Sequence, residues 1–199
     1  MIGSLPTGYL AGKAKGIDVR KVGSGNIGAT NVFRILGKGP GIVVLLVDFL
    51  KGLIAPLLVP VLLIKYFPDA SKETLSLLSG IGAILGHNYT CWLKFKGGKG
   101  VATTGGVLFA WVPLVGLTAL VVWLTFAVAT KYISLASIAA AISLPIAAWA
   151  WRASPTASVG YPVSVYVLAA LGALAIYKHK ANIQRLMNGT ENRIGKKKS

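Results

Sequence analysis

A series of long apolar stretches constrains what this chain can fold into more than any other feature. Residues 41–66, 74–93, 133–151 and 161–177 are apolar over most of each range, and a helix needs roughly 20 such residues to cross a membrane. Hydrophobic residues make up 54% of the 199 positions and charged residues only 13%. This pattern predicts a polytopic membrane protein and excludes a soluble domain with a single core.

Two further apolar stretches do not have the length of one span. Residues 101–130 are too many for one straight helix and too few for two complete ones, and they contain Pro113, so we predict a pair of short helices broken at Pro113. Residues 1–14 are too few to span; we read them as a partial span or as a start that lacks upstream residues, and favour the second. The expected fold is all-α integral membrane, with about seven transmembrane helices, the first incomplete, in one polytopic domain over 1–199.

The positive charge of the chain predicts its orientation. Lysine and arginine number 21 against five acids, a net charge of +16. In a soluble chain this balance would suggest nucleic acid, but here apolar segments separate the basic clusters, so we expect no nucleic-acid partner. If 101–130 crosses twice, one side holds every basic residue except Lys51, Lys65, Lys72 and Arg152. The positive-inside rule puts that side in the cytoplasm, with the polar segments 15–39, 86–100 and 178–199.

The span 41–66 contains one pair of opposite charges, Asp48 and Lys51. A charge at the bilayer centre costs about 2.5–3.5 kcal/mol on insertion scales, but residues three apart on a helix can face each other. Two interpretations remain open: a self-neutralised architectural pair, or part of a functional site.

The most distinctive polar segment begins at Gly23 and ends at Arg34 and reads GSGNIGATNVFR. Its glycines let the backbone approach a ligand, successive N–H groups can form an anion-binding concavity, and arginine fits a phosphate with two hydrogen bonds. We interpret it as a phosphate cradle whose candidate ligands are Gly23, Ser24, Gly25, Asn26, Gly28, Thr30, Asn31 and Arg34. The glycine spacing also matches a dinucleotide fingerprint, but the required strand and βαβ context are missing; a plain flexible loop is the other alternative.

Two more polar segments carry candidate residues. The first contains His87 and the loop Gly97-Gly98-Lys99, which lacks the spacing and context of a Walker loop, so ATP binding is not expected. His87 could also simply bond a carbonyl at a helix end. In the tail, His179 and Asn182 lie one helical turn apart and can face the same way.

Together these segments resemble the three motifs of one bacterial family, the acyl-phosphate glycerol-3-phosphate acyltransferases of the PlsY type. The matching stretches are GSGNIGATNVFR, GHNY…FKGGKGVAT and a tail of the form HxxNIxRLxxGTE, with DFLKG and YISLAS between them. Thr90 stands where the family pattern has proline. The resemblance implies a multi-pass enzyme of the bacterial plasma (inner) membrane that moves a fatty acyl group from acyl phosphate to the 1-hydroxyl of glycerol 3-phosphate in phospholipid biosynthesis. It implies no cofactor, no metal and no acyl-CoA, and a functional coupling to an acyl-phosphate-forming enzyme.

Carried over residue by residue, the resemblance implies roles for residues in all three motifs. The expected catalytic residues are Ser24, Arg34, His179, Asn182 and Glu191. The expected residues for substrate and phosphate binding, beside the cradle, are His87, Gly97, Gly98, Lys99 and Ser137.

A small-anion or lipid-phosphate transporter is the alternative function. Broken helices and a phosphate cradle would suit it, but no internal repeat is visible and the polar motifs fall on one predicted face. A non-catalytic scaffold would not explain three glycine-rich cationic segments.

Overall fold

The computed structural model describes residues 1–152 and 163–194, and every regular element within them is helical. The all-α prediction is therefore confirmed for this part of the chain. The helices belong to two compact units, Met1–Trp111 and Val112–Ser199. They are α1 (Thr7–Lys13), α2 (Ala29–Leu36), α3 (Lys38–Leu63), α4 (Lys72–Asn88), α5 (Val101–Trp111), α6 (Pro113–Thr130), α7 (Ile133–Ala150), α8 (Val163–Lys178) and α9 (Lys180–Met187), with 3-10 turns at Ile2–Ser4 and Cys91–Leu93.

Three helices in the described residues, α3, α6 and α7, are long and apolar enough to cross a membrane. Helix α5 and the stretch Val165–Lys178 of α8 are shorter apolar helices. On α3, large apolar side chains such as Leu46 and Val61 are about half exposed. An apolar outer surface of this kind is suited to lipid.

The predicted break within residues 101–130 lies at Val112, between α5 and α6. Helix α6 begins with Pro113, and proline is well placed there because the first helical residues have no intrahelical acceptor for their N–H groups. The predicted break is thus confirmed, but α6, with 18 residues, is long and apolar enough to cross a membrane and is not a short helix. That both helices cross stays a prediction.

Helix α3 continues through two internal prolines, Pro56 and Pro60. Proline has no N–H, so Pro60 cannot donate to the carbonyl of Pro56 four residues earlier. The hydroxyl of Ser76 on α4 donates to that carbonyl at 2.9 Å. A neighbouring helix therefore satisfies the backbone oxygen, as a membrane segment requires.

Glycines allow α3 and α5 to pack with their backbones close together. A Cβ on Gly52 would overlap the carbonyl of Thr103, and a Cβ on Gly106 would overlap the carbonyl of Phe49. Small residues of this kind are the usual basis of close helix contact in membranes. The contact fixes the start of α5, which directly follows the glycine loop 97–100.

In the second unit, α6 packs against α7 and α7 against α8. The indole of Trp123 on α6 donates to the hydroxyl of Ser137 on α7 at 3.1 Å. After α9, the N–H of Ile194 donates to the carbonyl of Lys131 at 2.8 Å, so the tail returns to the α6–α7 turn. The predicted polar turn at 154–155, the start of the predicted span 161–177 and the terminal lysines lie outside the described residues.

Candidate active site

The cradle is half loop and half helix. Gly23 and Gly25 have φ of +66° and +71°, a left-handed conformation that favours glycine. Gly28 then caps α2 in an extended conformation. The sequence analysis did not predict α2, and this short helix places Thr30, Asn31 and Arg34 on defined faces.

Asn31 holds the cradle together from the inside. Its side chain is 2% exposed; its oxygen accepts the N–H of Ser24 at 2.8 Å, and its amide donates to the carbonyls of Val19 and Val22 at 3.0 and 3.2 Å. A Cβ on Gly23 would overlap the same oxygen. Asn31 therefore shapes the loop, because its side-chain amide already donates to two carbonyls; that it binds a phosphate directly stays a prediction.

Several cradle N–H groups are already used within the loop. The N–H of Gly28 donates to the Asn26 side chain at 2.8 Å, and that of Gly25 donates to the carbonyl of Val22 at 3.1 Å. These two groups and the N–H of Ser24 thus each have an acceptor within the loop, and the anion-binding concavity stays a prediction. At the start of α2, the N–H groups of Ala29 and Thr30 have no acceptor among the described residues. They are the N–H groups that can face an anion.

The polar face of α2 presents Thr30 and Arg34, which are one helical turn apart. Thr30 is half-buried and Arg34 is exposed. A carboxylate in the preceding loop, Asp18, does not oppose this positive face, because Arg20 donates to both of its oxygens. These hydrogen bonds lower the pKa of Asp18 from 3.8 to about 2. At neutral pH the two side chains form an ion pair of zero net charge.

The glycine loop 97–100 wraps the end of α4, where His87 and Asn88 are buried. The N–H of Gly98 donates to the carbonyl of His87 at 3.0 Å. A Cβ on Gly97 would overlap that carbonyl, and a Cβ on Gly98 would overlap the imidazole ring. Gly100 has φ of +78°, and a Cβ there would lie 2.7 Å from Asn88 Oδ1. The loop thus requires glycine at these positions to reach His87 and Asn88.

A buried charged cluster lies behind His87. Lys51 Nζ donates to Asp48 Oδ1 at 2.7 Å and to the carbonyl of Leu5 at 3.1 Å. His87 Nδ1 lies 3.6 Å from the same Asp48 oxygen. Asp48 and Lys51 are 2% and 4% exposed. The self-neutralised pair is therefore present, and it also contacts His87 and Leu5, which no feature of the sequence indicated.

The contact between Gly98 and His87 gives a direct prediction. We expect Gly98→Ala to lower kcat/KM about 30- to 100-fold, because the new methyl group must displace either the imidazole or the loop that carries Lys99, and a displacement of about 1 Å can cost 100-fold. The measurement is steady-state turnover by the purified variant, together with its unfolding midpoint.

Gly82→Ala is the matched control for this change. Gly82 lies on α4, and a Cβ there would meet nothing within 4 Å; alanine also favours the helix by up to about 1 kcal/mol. This variant should keep full activity. A Gly98→Ala protein with wild-type kinetics would show that the loop does not need this close contact.

In the second unit, Glu191 is the centre of a buried hydrogen-bond network. Its Oε1 accepts from the Ser134 hydroxyl at 3.1 Å and from the Asn182 amide at 2.9 Å, and its Oε2 accepts from Arg185 Nε at 2.7 Å. Ser134 lies in the first turn of α7, where the helix dipole favours a negative charge. Three donors thus satisfy both oxygens of the buried carboxylate.

His179 lies at the break between α8 and α9, next to the Glu191 network. It is 2% exposed, and its Nδ1 lies 2.8 Å from the carbonyl of Ala175. A carbonyl can only accept, so Nδ1 carries the proton, and in the neutral ring Nε2 is the nitrogen that can accept one. The carbonyl of His179 accepts the N–H of Asn182 at 2.8 Å, so the two predicted residues share one turn of the chain.

The structure divides the predicted site residues between the two units. In the second unit, Ser137 donates to the carbonyl of Ile133 and accepts from Trp123, while Ser134, one helical turn earlier, contacts Glu191. The sequence analysis singled out Ser137 and missed Ser134; the shared helical face was the only available signal. Arg185, which directly pairs with Glu191, was not among the expected catalytic and binding residues.

Comparison with known proteins gives one consistent result. The family model for glycerol-3-phosphate acyltransferase matches residues 1–189. Curated relatives with that name include proteins from Desulforamulus reducens (44% identical, covering 100% of this chain and 93% of the relative) and Aquifex aeolicus (44% identical, 98% and 94%). Another is from Geobacter sulfurreducens (45% identical, 98% and 93%).

Two solved structures are also similar. Both are crystal structures of PlsY, described as an integral membrane glycerol 3-phosphate acyltransferase. The glycerol 3-phosphate form has a TM-score of 0.82 and 45% identity, and the lysophosphatidic acid form has 0.79 and 44%. Each comparison covers 98% of this chain and 90% of the other.

Proposed function

This chain belongs to the glycerol-3-phosphate acyltransferase family, and from that premise we propose that it transfers a fatty acyl group from acyl phosphate to the 1-hydroxyl of sn-glycerol 3-phosphate. The products are lysophosphatidic acid and inorganic phosphate. The observation that carries the proposal is the similarity, over 98% of this chain, to PlsY structures in a glycerol 3-phosphate form and a lysophosphatidic acid form. The first ligand corresponds to the acceptor and the second to the product.

The residues of each unit suit a reaction between two anions. Two unit charges about 4 Å apart repel by about 4 kcal/mol at an effective dielectric constant of 20, so the reaction needs cations and N–H donors. In the first unit, Arg34, Lys99 and the N–H groups at the start of α2 can bind phosphate, with Ser24 and Thr30 as hydroxyl donors. His87 and the glycine loop hold Lys99 in place, and Gly23, Gly25, Asn26, Gly28 and Asn31 shape the cradle.

The second unit supplies a different set of groups. His179 and Asn182 orient the hydroxyl that attacks the acyl carbon. Glu191 acts through its neighbours, because its two oxygens already accept three hydrogen bonds. Ser137 binds the indole of Trp123, so its contribution is to hold α7 in position.

We assign the chain to the bacterial plasma membrane as a single polytopic domain. Seven helices, α1 and α3 to α8, would cross it, with α1 incomplete. The charge distribution supports cytoplasmic positions for segments 15–39, 86–100 and 178–199. Acyl phosphate would come from an acyl-phosphate-forming enzyme in the same membrane system.

The deciding experiment is acyl transfer by the purified full chain in lipid nanodiscs. Glycerol 3-phosphate is supplied with either palmitoyl phosphate or palmitoyl-CoA, and lysophosphatidic acid, phosphate and free CoA are measured. We expect lysophosphatidic acid and phosphate in equal amounts with palmitoyl phosphate, and no product with palmitoyl-CoA.

The other outcomes are equally informative. Product formation with palmitoyl-CoA would mean that the donor is misassigned. No transfer from either donor, with uptake of glycerol 3-phosphate into proteoliposomes made from the same preparation, would favour the transporter. Omitting glycerol 3-phosphate controls for simple hydrolysis of the donor.

A further inference from the structure

The contacts of Glu191 leave it little capacity to act as a base. Its side chain is 3% exposed, and both oxygens accept hydrogen bonds from the three donors described above. A buried carboxylate whose two oxygens are both satisfied by protein donors has no oxygen left for a substrate hydroxyl. Glu191 instead fixes the positions of the side chains that donate to it, and one of these side chains is a cation.

That cation, Arg185, uses only part of its hydrogen-bonding capacity on Glu191. The bond is made by Nε alone, at 2.7 Å. The side chain is 31% exposed, and its two terminal amino groups have no hydrogen-bond partner among residues 1–152 and 163–194. An arginine offers five donors in a rigid planar arrangement, and its terminal edge matches the two oxygens of a phosphate.

The surroundings of Arg185 favour an anion at that edge. Within residues 1–152 and 163–194, Glu191 is the one carboxylate that pairs with Arg185. The Ile194 N–H binds the carbonyl of Lys131, and Arg193 lies over the ring of Tyr132, 4.9 Å from its centroid. The α6–α7 turn and the described part of the tail, residues 178–194, carry one carboxylate, Glu191, against five cations: Lys131, Lys178, Lys180, Arg185 and Arg193. The region therefore has a net positive charge.

We propose that Arg185 binds the phosphate group of a substrate through its terminal amino groups, and that Glu191 is the residue that positions it. This inference rests on the proposed function, because that reaction supplies the phosphate. The shared chemistry is a phosphate group with one organic substituent. It can come from the acyl phosphate donor or from the glycerol 3-phosphate acceptor, and separate kinetic measurements distinguish the two.

The test is the Michaelis constant for each substrate in Arg185→Gln, with the other substrate saturating. Because a charge-assisted bidentate pair is among the strong hydrogen bonds, we expect KM for one substrate to rise about 10- to 100-fold. KM for the other substrate and the unfolding midpoint should change little. Arg185→Lys should fall between wild type and Arg185→Gln, because an ammonium keeps the charge but not the planar geometry.

Two further variants separate binding from structure. Arg193→Gln removes a neighbouring cation that contacts the ring of Tyr132 and pairs with no carboxylate in the described part of the chain. This variant should keep both KM values within about twofold. Arg185→Gln alone leaves Glu191 as a buried carboxylate without its cation, and this can destabilise the fold. The double variant Arg185→Gln with Glu191→Gln replaces the ion pair with two neutral side chains, so it should keep the fold while the KM raised by Arg185→Gln stays high. Glu191→Gln alone should raise the same KM as Arg185→Gln.

Each result bears on the proposal. A raised KM for palmitoyl phosphate identifies the donor as the ligand of Arg185, and a raised KM for glycerol 3-phosphate identifies the acceptor. Unchanged KM values with a lower unfolding midpoint or kcat would overturn the inference and leave Arg185 as a structural tie, while wild-type turnover keeps the proposed function. Absence of wild-type turnover would overturn both.

Discussion

Lys51→Met is expected to destabilise the first unit by about 3–5 kcal/mol, because it leaves Asp48 as a buried carboxylate without its nearest cation. The two side chains are 4% and 3% exposed, and their charged atoms are 2.7 Å apart. The change also removes the hydrogen bond from Lys51 to the carbonyl of Leu5. We expect a clear decrease in the midpoint of detergent-induced unfolding, measured in mixed micelles at fixed pH.

The double variant Asp48→Leu with Lys51→Met tests the cause. Removing both charges removes the unpaired carboxylate, and replacing a buried pair with apolar residues is often neutral or stabilising. The double variant should therefore recover most of the lost stability. Lys72→Met is the matched control: Lys72 is exposed at the start of α4, and its replacement should change stability by no more than about 0.5 kcal/mol. A double variant as unstable as Lys51→Met would mean that packing, rather than the unpaired charge, dominates.

Features governed by local stereochemistry could be predicted from the sequence. The break at Pro113 follows from the missing N–H of proline. The apolar length of residues 41–66 predicted a long helix, which is observed as Lys38–Leu63 and is long and apolar enough to cross a membrane. The spacing of Asp48 and Lys51 on one helix was enough to predict their pairing. Each of these predictions depends on residues within a few helical turns of one another.

Features that depend on distant contacts could not be predicted in the same way. Helix α2 lies in a glycine-rich segment that reads as a loop, and it is joined to that loop by the buried side chain of Asn31. The contact of Glu191 with Ser134 joins the tail to the first turn of α7, and no periodicity links the two positions. Sequence patterns identified the polar segments, but only the fold shows which side chains face a ligand and which hold the backbone.

Arg34→Gln is expected to lower kcat/KM about 1,000-fold. On the proposed function, two phosphates must approach each other, and one cation about 4 Å from a phosphate contributes about 4 kcal/mol at an effective dielectric constant of 20. At 1.36 kcal/mol per factor of ten, this is about three orders of magnitude. Arg34 lies in the last turn of α2 and is exposed, so its loss should affect the fold far less than the loss of Lys51. The measurement is phosphate release from palmitoyl phosphate in nanodiscs, with the unfolding midpoint of the same sample.

A control variant separates phosphate binding by Arg34 from a general loss of positive charge. Lys38→Gln removes the same charge at the exposed start of α3, four residues further along the chain, and it should lower kcat/KM less than threefold because exposed charges are screened over about 10 Å at 0.1 M salt. Arg34→Lys should fall between the two, since an ammonium keeps the charge but cannot make two parallel hydrogen bonds to a phosphate. Equal losses in Arg34→Gln and Lys38→Gln would mean that the basic segment 15–39 attracts the substrates by net charge alone. A much larger loss at Arg34 would identify α2 as the helix that binds phosphate.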